Sequence, residues 1–195
     1  KRAASVKRKT RETDIVVGLC LDGKGAYEVA TGLAFLDHML ELLSKHSLID
    51  LKIKAKGDLN VDYHHTVEDI GLALGEALDK ALGKRTGITR YGWGVVPMDE
   101  ALSQVVVDLG GRPFLAMRMA VRRKKILDFD LGLIEEFFRA FSVQGIMNLH
   151  VIQMYGKEPH HAYESVFKAL AKALKMACSL DARQKGSLPS TKGKI

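Results

Sequence analysis

The chain holds only two cysteines in 195 residues, Cys20 and Cys178. One falls on a strand-like segment and the other on a helix-like one. Two such thiols do not make the framework of a disulfide-dense secreted domain. They read as free, buried thiols in a reducing compartment, so a cytoplasmic protein is expected. The chain also lacks an apolar run long enough to span a bilayer, because Asp, Glu or Lys interrupts every helix-like apolar stretch. The basic N-terminus carries no apolar segment of the kind a secretory signal needs. Aromatics make up only 7% of residues. Single-stranded nucleic acid is usually held by stacking rings along a basic groove, and that scarcity counts against such a binder despite a formal net charge of +7. Neither a membrane nor a nucleic acid is the expected partner.

What is present is an ordinary globular composition, 47% apolar and 27% charged, long enough for one ample domain or two small halves sharing a core. Much of the positive excess sits at the ends, at Lys1, Arg2, Lys7, Arg8, Lys9 and Arg11, then at Arg183, Lys185, Lys192 and Lys194. A small phosphate-bearing substrate suits this charge.

One pattern is written twice, over residues 1–92 and 93–195. The first copy runs from an alternating strand, roughly Glu12 to Cys20, to a short strand near Tyr27 and an amphipathic segment from Phe35 to Leu43. A half-buried strand follows, with Ile49, Leu51, Ile53 and Ala55 alternating against Asp50, Lys52, Lys54 and Lys56. It ends in a helix with Val67, Ile70, Leu74, Leu78 and Ala81 on one face. The second copy repeats this order: strands at Gln104–Leu109 and Phe114–Val121, an amphipathic segment Leu131–Phe141, a strand Met147–Met154, and a helix from near His160. Each half is thus β-β-α-β-α. The fold class is α+β, an internal duplication with its helices packed between two sheets. The tail from Lys185 to Ile195 reads as a mobile loop.

Each half also carries the motif HHxxE at the start of its long helix: His64-His65-Thr66-Val67-Glu68 and His160-His161-Ala162-Tyr163-Glu164. Residues i and i+4 share a helix face, so His64 with Glu68, and His160 with Glu164, can each grip one ion. Adjacent residues diverge by roughly 100° around a helix, which turns His65 and His161 toward a different ion. The repeat further aligns His38 with Glu136, each after an acidic residue and before an apolar pair. Eight candidate ligands result: His38, His64, His65, Glu68, Glu136, His160, His161 and Glu164. Imidazole and carboxylate without thiolate suit manganese, iron or zinc. Four ligands per ion leave positions open for a substrate. His150 alternates with apolar residues on a strand and reads as structural. His46, beside Lys45 at a helix end, suits a C-cap. On these residues alone, a dinuclear metal phosphoesterase remains an alternative.

The stretches Arg11-Glu12-Thr13, Phe35-Leu36-Asp37-His38-Met39-Leu40, Gly57-Asp58-Leu59 and Asp62-Tyr63-His64-His65-Thr66-Val67-Glu68-Asp69, in this order, resemble the imidazoleglycerol-phosphate dehydratases. So do Pro97-Met98-Asp99-Glu100-Ala101-Leu102, Gly111-Arg112-Pro113, His160-His161 with Glu164 and Phe167-Lys168-Ala169, and Pro189-Ser190-Thr191-Lys192-Gly193. The resemblance implies a fold of the ribosomal protein S5 domain 2-like kind. It implies two Mn²⁺ ions per subunit on the eight ligands. It also implies a large homo-oligomer, expected to have 24 subunits, with active sites between subunits. Many members carry histidine where this chain has Glu136, and a carboxylate can also ligate manganese. The implied reaction removes water from imidazole glycerol phosphate to give imidazole acetol phosphate, a step of histidine biosynthesis. The implied catalytic residues are Glu12, as the base that takes the C2 proton, and His46. Substrate contacts are expected from Glu12, His38, His46, His64, Glu68 and His160. Thr191 is a further expected substrate contact, and Arg90, Arg112, Lys168, Ser190 and Lys192 are expected to meet the phosphate, which Arg forks and backbone N–H groups match well.

Overall fold

The structure, a computed structural model, describes residues 2–121 and 124–195. Lys1, part of the basic N-terminal cluster, lies outside them. The first half builds β1 (Ala3–Lys9), β2 (Thr13–Cys20), β3 (Tyr27–Ala30), α1 (Ala34–Ser47), β4 (Asp50–Gly57) and α2 (His64–Leu82). The second builds β5 (Tyr91–Met98), β6 (Ala101–Asp108), β7 (Phe114–Arg118), a small hairpin of β8 (Lys125–Ile126) and β9 (Phe129–Asp130), α3 (Leu133–Gln144), β10 (Asn148–Tyr155) and α4 (Pro159–Cys178). A short 3₁₀ turn, Ala182–Gln184, precedes the tail.

The two sheets have the same topology. One is ordered β1-β2-β4-β3 and the other β5-β6-β10-β7. Each is antiparallel except for one parallel edge strand, β3 on β4 and β7 on β10. Each half therefore holds the expected β-β-α-β-α unit with one further strand ahead of it. The junction placed between residues 92 and 93 falls inside β5. The Phe114–Val121 strand is shorter than expected. It leaves the ladder after Arg118, and the N–H groups of Ala120 and Val121 bond the side-chain oxygen of Gln153 instead.

Both extra strands have physical reasons for being hard to read. In β1 only Val6 is fully buried, and the three residues after it are Lys7, Arg8 and Lys9. In β5 the core-facing positions are glycines while Tyr91, Trp93 and Val95 face outward, which inverts the usual pattern. A Cβ at Gly92 or Gly94 would collide with the backbone of α4 at Ala173 or Ala169.

The four α-helices among the described residues lie between the sheets, α2 against β1 and β2, and α4 against β5 and β6. Across the middle, α2 packs on α3 and α1 on α4. The two main helix–helix seams thus join the two halves, and the core is shared. Phe137, Phe138, Phe141 and Phe167 are fully buried at its centre, with ring centroids 5.1–6.0 Å apart. Val67, Ile70, Leu74, Leu78 and Ala81 all face into it. Cys20 and Cys178 are free and buried, and burial pushes the Cys178 thiol up to about 12. Among the described residues no helix is long and apolar enough to cross a membrane.

Candidate metal centre

The helix pairing decides which ligands meet. Helix α4 starts at Pro159, and the Glu158 side chain accepts the His161 backbone N–H as its cap. One turn apart on this helix, His160 Nε2 stands 3.3 Å from Glu164 Oε2. Because α1 packs on α4, His38 arrives from the other half with its Nε2 3.5 Å from the same oxygen. His38 is held there by its neighbour Asp37, which accepts both the backbone N–H and the hydroxyl of Thr31 in the turn before α1.

The three ligand atoms of His38, His160 and Glu164 lie within 4.8 Å of one another. Ligands sharing a cation at bond lengths of about 2.2 Å stand roughly 3–4.5 Å apart, so this donor set fits one divalent ion. Glu164 is 7% exposed, and Lys168, one turn on, donates to its other oxygen at 2.6 Å. Burial pushes this carboxyl up, but Lys168 and His38 outweigh burial and leave it below the usual carboxylate range. An anionic, buried carboxylate beside two imidazoles is the chemistry of a cation site.

A second group is its counterpart under the duplication. His64 Nε2 stands 3.4 Å from Glu68 Oε2 at the start of α2. Helix α3 brings Glu136 to a cavity of about 640 Å³ that His64 also lines, with Tyr63, Asp128, Asp130 and Leu133. Glu68 is not in that lining, Glu136 stands 3.9 Å from Arg139, and among the described residues these three are not gathered to ligand distance as the first triad is. His64 thus corresponds to His160, Glu68 to Glu164 and Glu136 to His38.

The other histidine of each pair turns away. His65 Nδ1 lies 2.9 Å from Asp58 and 3.8 Å from Glu12. His161 Nδ1 lies 2.8 Å from Glu100, and its Nε2 3.8 Å from Asp99. Asp58 first and Glu12 next raise the His65 pKa, and Glu100 does the same for His161. The Glu100 carboxyl falls to about 2, held by His161 and by the N–H groups of Glu158 and Lys157.

Glu12 is exposed at the tip between β1 and β2, on a turn in which the Thr10 hydroxyl accepts the N–H groups of Glu12 and Thr13. The Thr13 hydroxyl donates to buried Asp69 of α2 at 2.5 Å, and Arg8 donates to the other oxygen. This network ties Glu12 to the helix that carries His64 and His65. His46 is partly buried near the end of α1. Its pKa is lowered by that burial first, then by Lys168 and Lys172.

The five expected phosphate contacts, with Thr191, form two groups within one chain. Lys168 is engaged by Glu164 beside the first triad. At another corner Arg90 donates to Asp108 and to the Pro189 carbonyl, which fastens the tail. Ile195 lies against Gly111, next to exposed Arg112. Ser190 accepts the Lys192 N–H and donates to the Lys194 carbonyl, while Thr191 and Lys192 are exposed. His150 faces solvent beside Phe114 on the outer sheet surface.

Asp58, Asp69 and Glu100 had no role in the sequence reading. They stood inside its matched stretches, yet their partners come from separate loops and helices, so spacing alone could not point to them.

Comparison with known proteins places the site in context. A family model described as imidazoleglycerol-phosphate dehydratase matches residues 31–174. Curated relatives of that description include one from Nitrobacter hamburgensis, 54% identical over all of this chain and 98% of its own length. Another, from Methylobacterium radiotolerans, is 52% identical over the full length of both. Among solved structures, the dehydratase of Staphylococcus aureus superposes with a TM-score of 0.83 at 35% identity, covering 92% of this chain and 99% of that one. That of Pyrococcus furiosus gives 0.84 at 34%, covering 97% and 100%.

Proposed function

The chain belongs to the imidazoleglycerol-phosphate dehydratase family, and from that premise we propose that it works as a two-manganese hydro-lyase whose active sites are completed between copies of itself. The observation that carries this is the gathered triad of His38, His160 and Glu164, with His64 beside Glu68 at the duplicated position, neither group including the divergent histidine of its own HHxxE motif. His38, His160 and Glu164 would hold one Mn²⁺, and His64, Glu68 and Glu136 the other. His65 and His161 point away from these groups and would serve those of neighbouring copies, in an assembly expected to have 24 subunits.

A second feature supports association. The outer face of the β5-β6-β10-β7 sheet exposes Tyr91, Trp93, Val95, Phe114, Ile152 and Met154. An apolar surface of that extent is normally covered in an assembly.

When bound, the ions supply Lewis acidity and a template toward the ring nitrogens of imidazole glycerol phosphate. The rest falls to side chains. Glu12 takes the C2 proton from a turn anchored to the ligand-bearing helix. The C3 hydroxyl needs a proton to leave as water, and His46, whose pKa burial lowers, can relay one to it. Arg112, Ser190, Thr191 and Lys192 offer donors to the phosphate, Arg90 fixes the tail that carries three of them, and Lys168 adds charge beside the ring site.

The test is turnover by chelator-stripped protein with and without added Mn²⁺. Imidazole acetol phosphate should form only with the metal. Undiminished turnover by metal-free protein would overturn the reading. Phosphate release from simple esters, without dehydration, would move it to a dinuclear phosphoesterase.

A further inference from the structure

The duplication offers an internal comparison at the tips beside the metal ligands. Each residue of β1 and β2 stands 88 positions before its counterpart in β5 and β6, so Glu12 corresponds to Glu100, and each directly precedes the first residue of its strand. The central strands β4 and β10 align through their pairing, Cys20 with Asp50 and Asp108 with Asn148. A bulge between Gln153 and Tyr155 then brings Gly156 level with Gly57, and Lys157 level with Asp58.

The two halves use these positions differently. In the second half Glu100 takes three donors: His161 Nδ1 and the backbone N–H groups of Lys157 and Glu158. In the first half His65 Nδ1 goes to Asp58 instead, and among the described residues the Glu12 carboxylate accepts no hydrogen bond. A carboxylate only accepts, so in both dyads Nδ1 must carry the hydrogen, and the neutral ring then has a bare Nε2. Fixing one ring nitrogen in this way sets the tautomer and the aim of a ligating imidazole.

We infer that Asp58 and Glu100 are positioning residues for His65 and His161, and that Asp58, having taken the clamping task in the first half, leaves Glu12 free as the base. This rests on the proposed ligand roles of the two histidines. It also accounts for an enzyme with two equivalent carboxylate tips abstracting its proton at only one of them. Glu100 is held by three donors, while Glu12 is free to reach a substrate.

The test uses full-length, chelator-stripped protein titrated with Mn²⁺ alone, with the free ion followed by its paramagnetic resonance signal. Wild type is expected to take two ions per subunit. Glu100→Ala and Asp58→Ala should each weaken one of the two by about 10–100-fold. Glu100→Gln, which keeps an acceptor oxygen for Nδ1–H, should recover most of that loss, and Glu12→Gln should bind both ions as wild type does. Glu100→Met preserves the volume without the acceptor and gives the same reading should the alanine variant not fold. Wild-type affinity at both sites in Glu100→Ala and Asp58→Ala overturns the clamps while the ligand assignment stands. A wild-type protein that binds no Mn²⁺ overturns both.

Discussion

Among single residues, Glu12 and His46 carry the sharpest expectations. Glu12→Gln keeps the shape of the tip and its anchoring through Thr10 and Thr13, but removes the base. Turnover should fall by about 10²–10⁴-fold, with the Mn²⁺ content of purified protein unchanged. A loss of metal instead would make Glu12 a ligand. For His46, burial and then the charges of Lys168 and Lys172 hold the folded pKa below its ordinary value of about 6.5. The sign follows from linkage: protonation favours the unfolded chain. The stabilising contribution of neutral His46 is present above the unfolded pKa and is lost as pH falls through the folded one. The acid limb of kcat/KM attributable to His46 should therefore lie below pH 6.5. Lys172→Gln should move it upward, and an unmoved limb would separate His46 from the chemistry. At this scale the sequence was most legible. The gathering of His38, His160 and Glu164 needed only the doubled HHxxE and its alignment, because helix periodicity by itself puts i and i+4 on one face. Asp58 and Glu100 were not legible in that way, since a carboxylate's partner across a loop leaves no periodic trace.

Among the elements, the α2–α3 seam sets the proposed second ion site, since His64 and Glu68 ride on one helix and Glu136 on the other. The seam is close because of two glycines. A Cβ on Gly71 would stand 2.6 Å from the Phe137 carbonyl oxygen, and one on Gly75 2.6 Å from that of Phe141. In an ordinary exposed helix interior, glycine to alanine would gain about 1 kcal/mol. Here overpacking should cost about 1–3 kcal/mol and reverse the sign. Gly71→Ala and Gly75→Ala should thus lower the urea midpoint, and should weaken Mn²⁺ binding at the site containing Glu136 more than at the one containing His38. A raised midpoint would contradict the seam as described. The same close packing explains why β5 was hidden in the sequence: where a helix backbone nearly touches a sheet, glycine replaces the apolar residue that would otherwise signal a strand. The strand β1 was hidden for another reason. Its single deeply buried side chain, Val6, leaves almost no alternation among basic neighbours. By contrast β2, β4 and α2 each bury one clean face, and their positions were readable within a few residues.

For the whole molecule, the sequence showed a duplication but not how its halves interlock. That depends on α1 crossing to α4 and α2 to α3, so that the triad of His38, His160 and Glu164 draws from both halves and Glu136 is brought to the cavity that His64 lines. It follows that neither half should hold an ion alone. Separately produced halves should bind Mn²⁺ only when combined, and this can be checked by equilibrium dialysis. The central claim is larger: each ion site is finished by a histidine from another copy. Its most direct test is complementation between His38→Ala and His65→Ala. Each variant alone should be inactive. When the two are stripped of metal, mixed, and reassembled with Mn²⁺, sites pairing an intact His38 from one copy with an intact His65 from another should dehydrate imidazole glycerol phosphate, giving activity that neither variant shows separately. Mixed assemblies that form normally, shown by sedimentation of differently tagged chains, yet stay inactive would place both histidines in the service of their own chain and contradict the shared site.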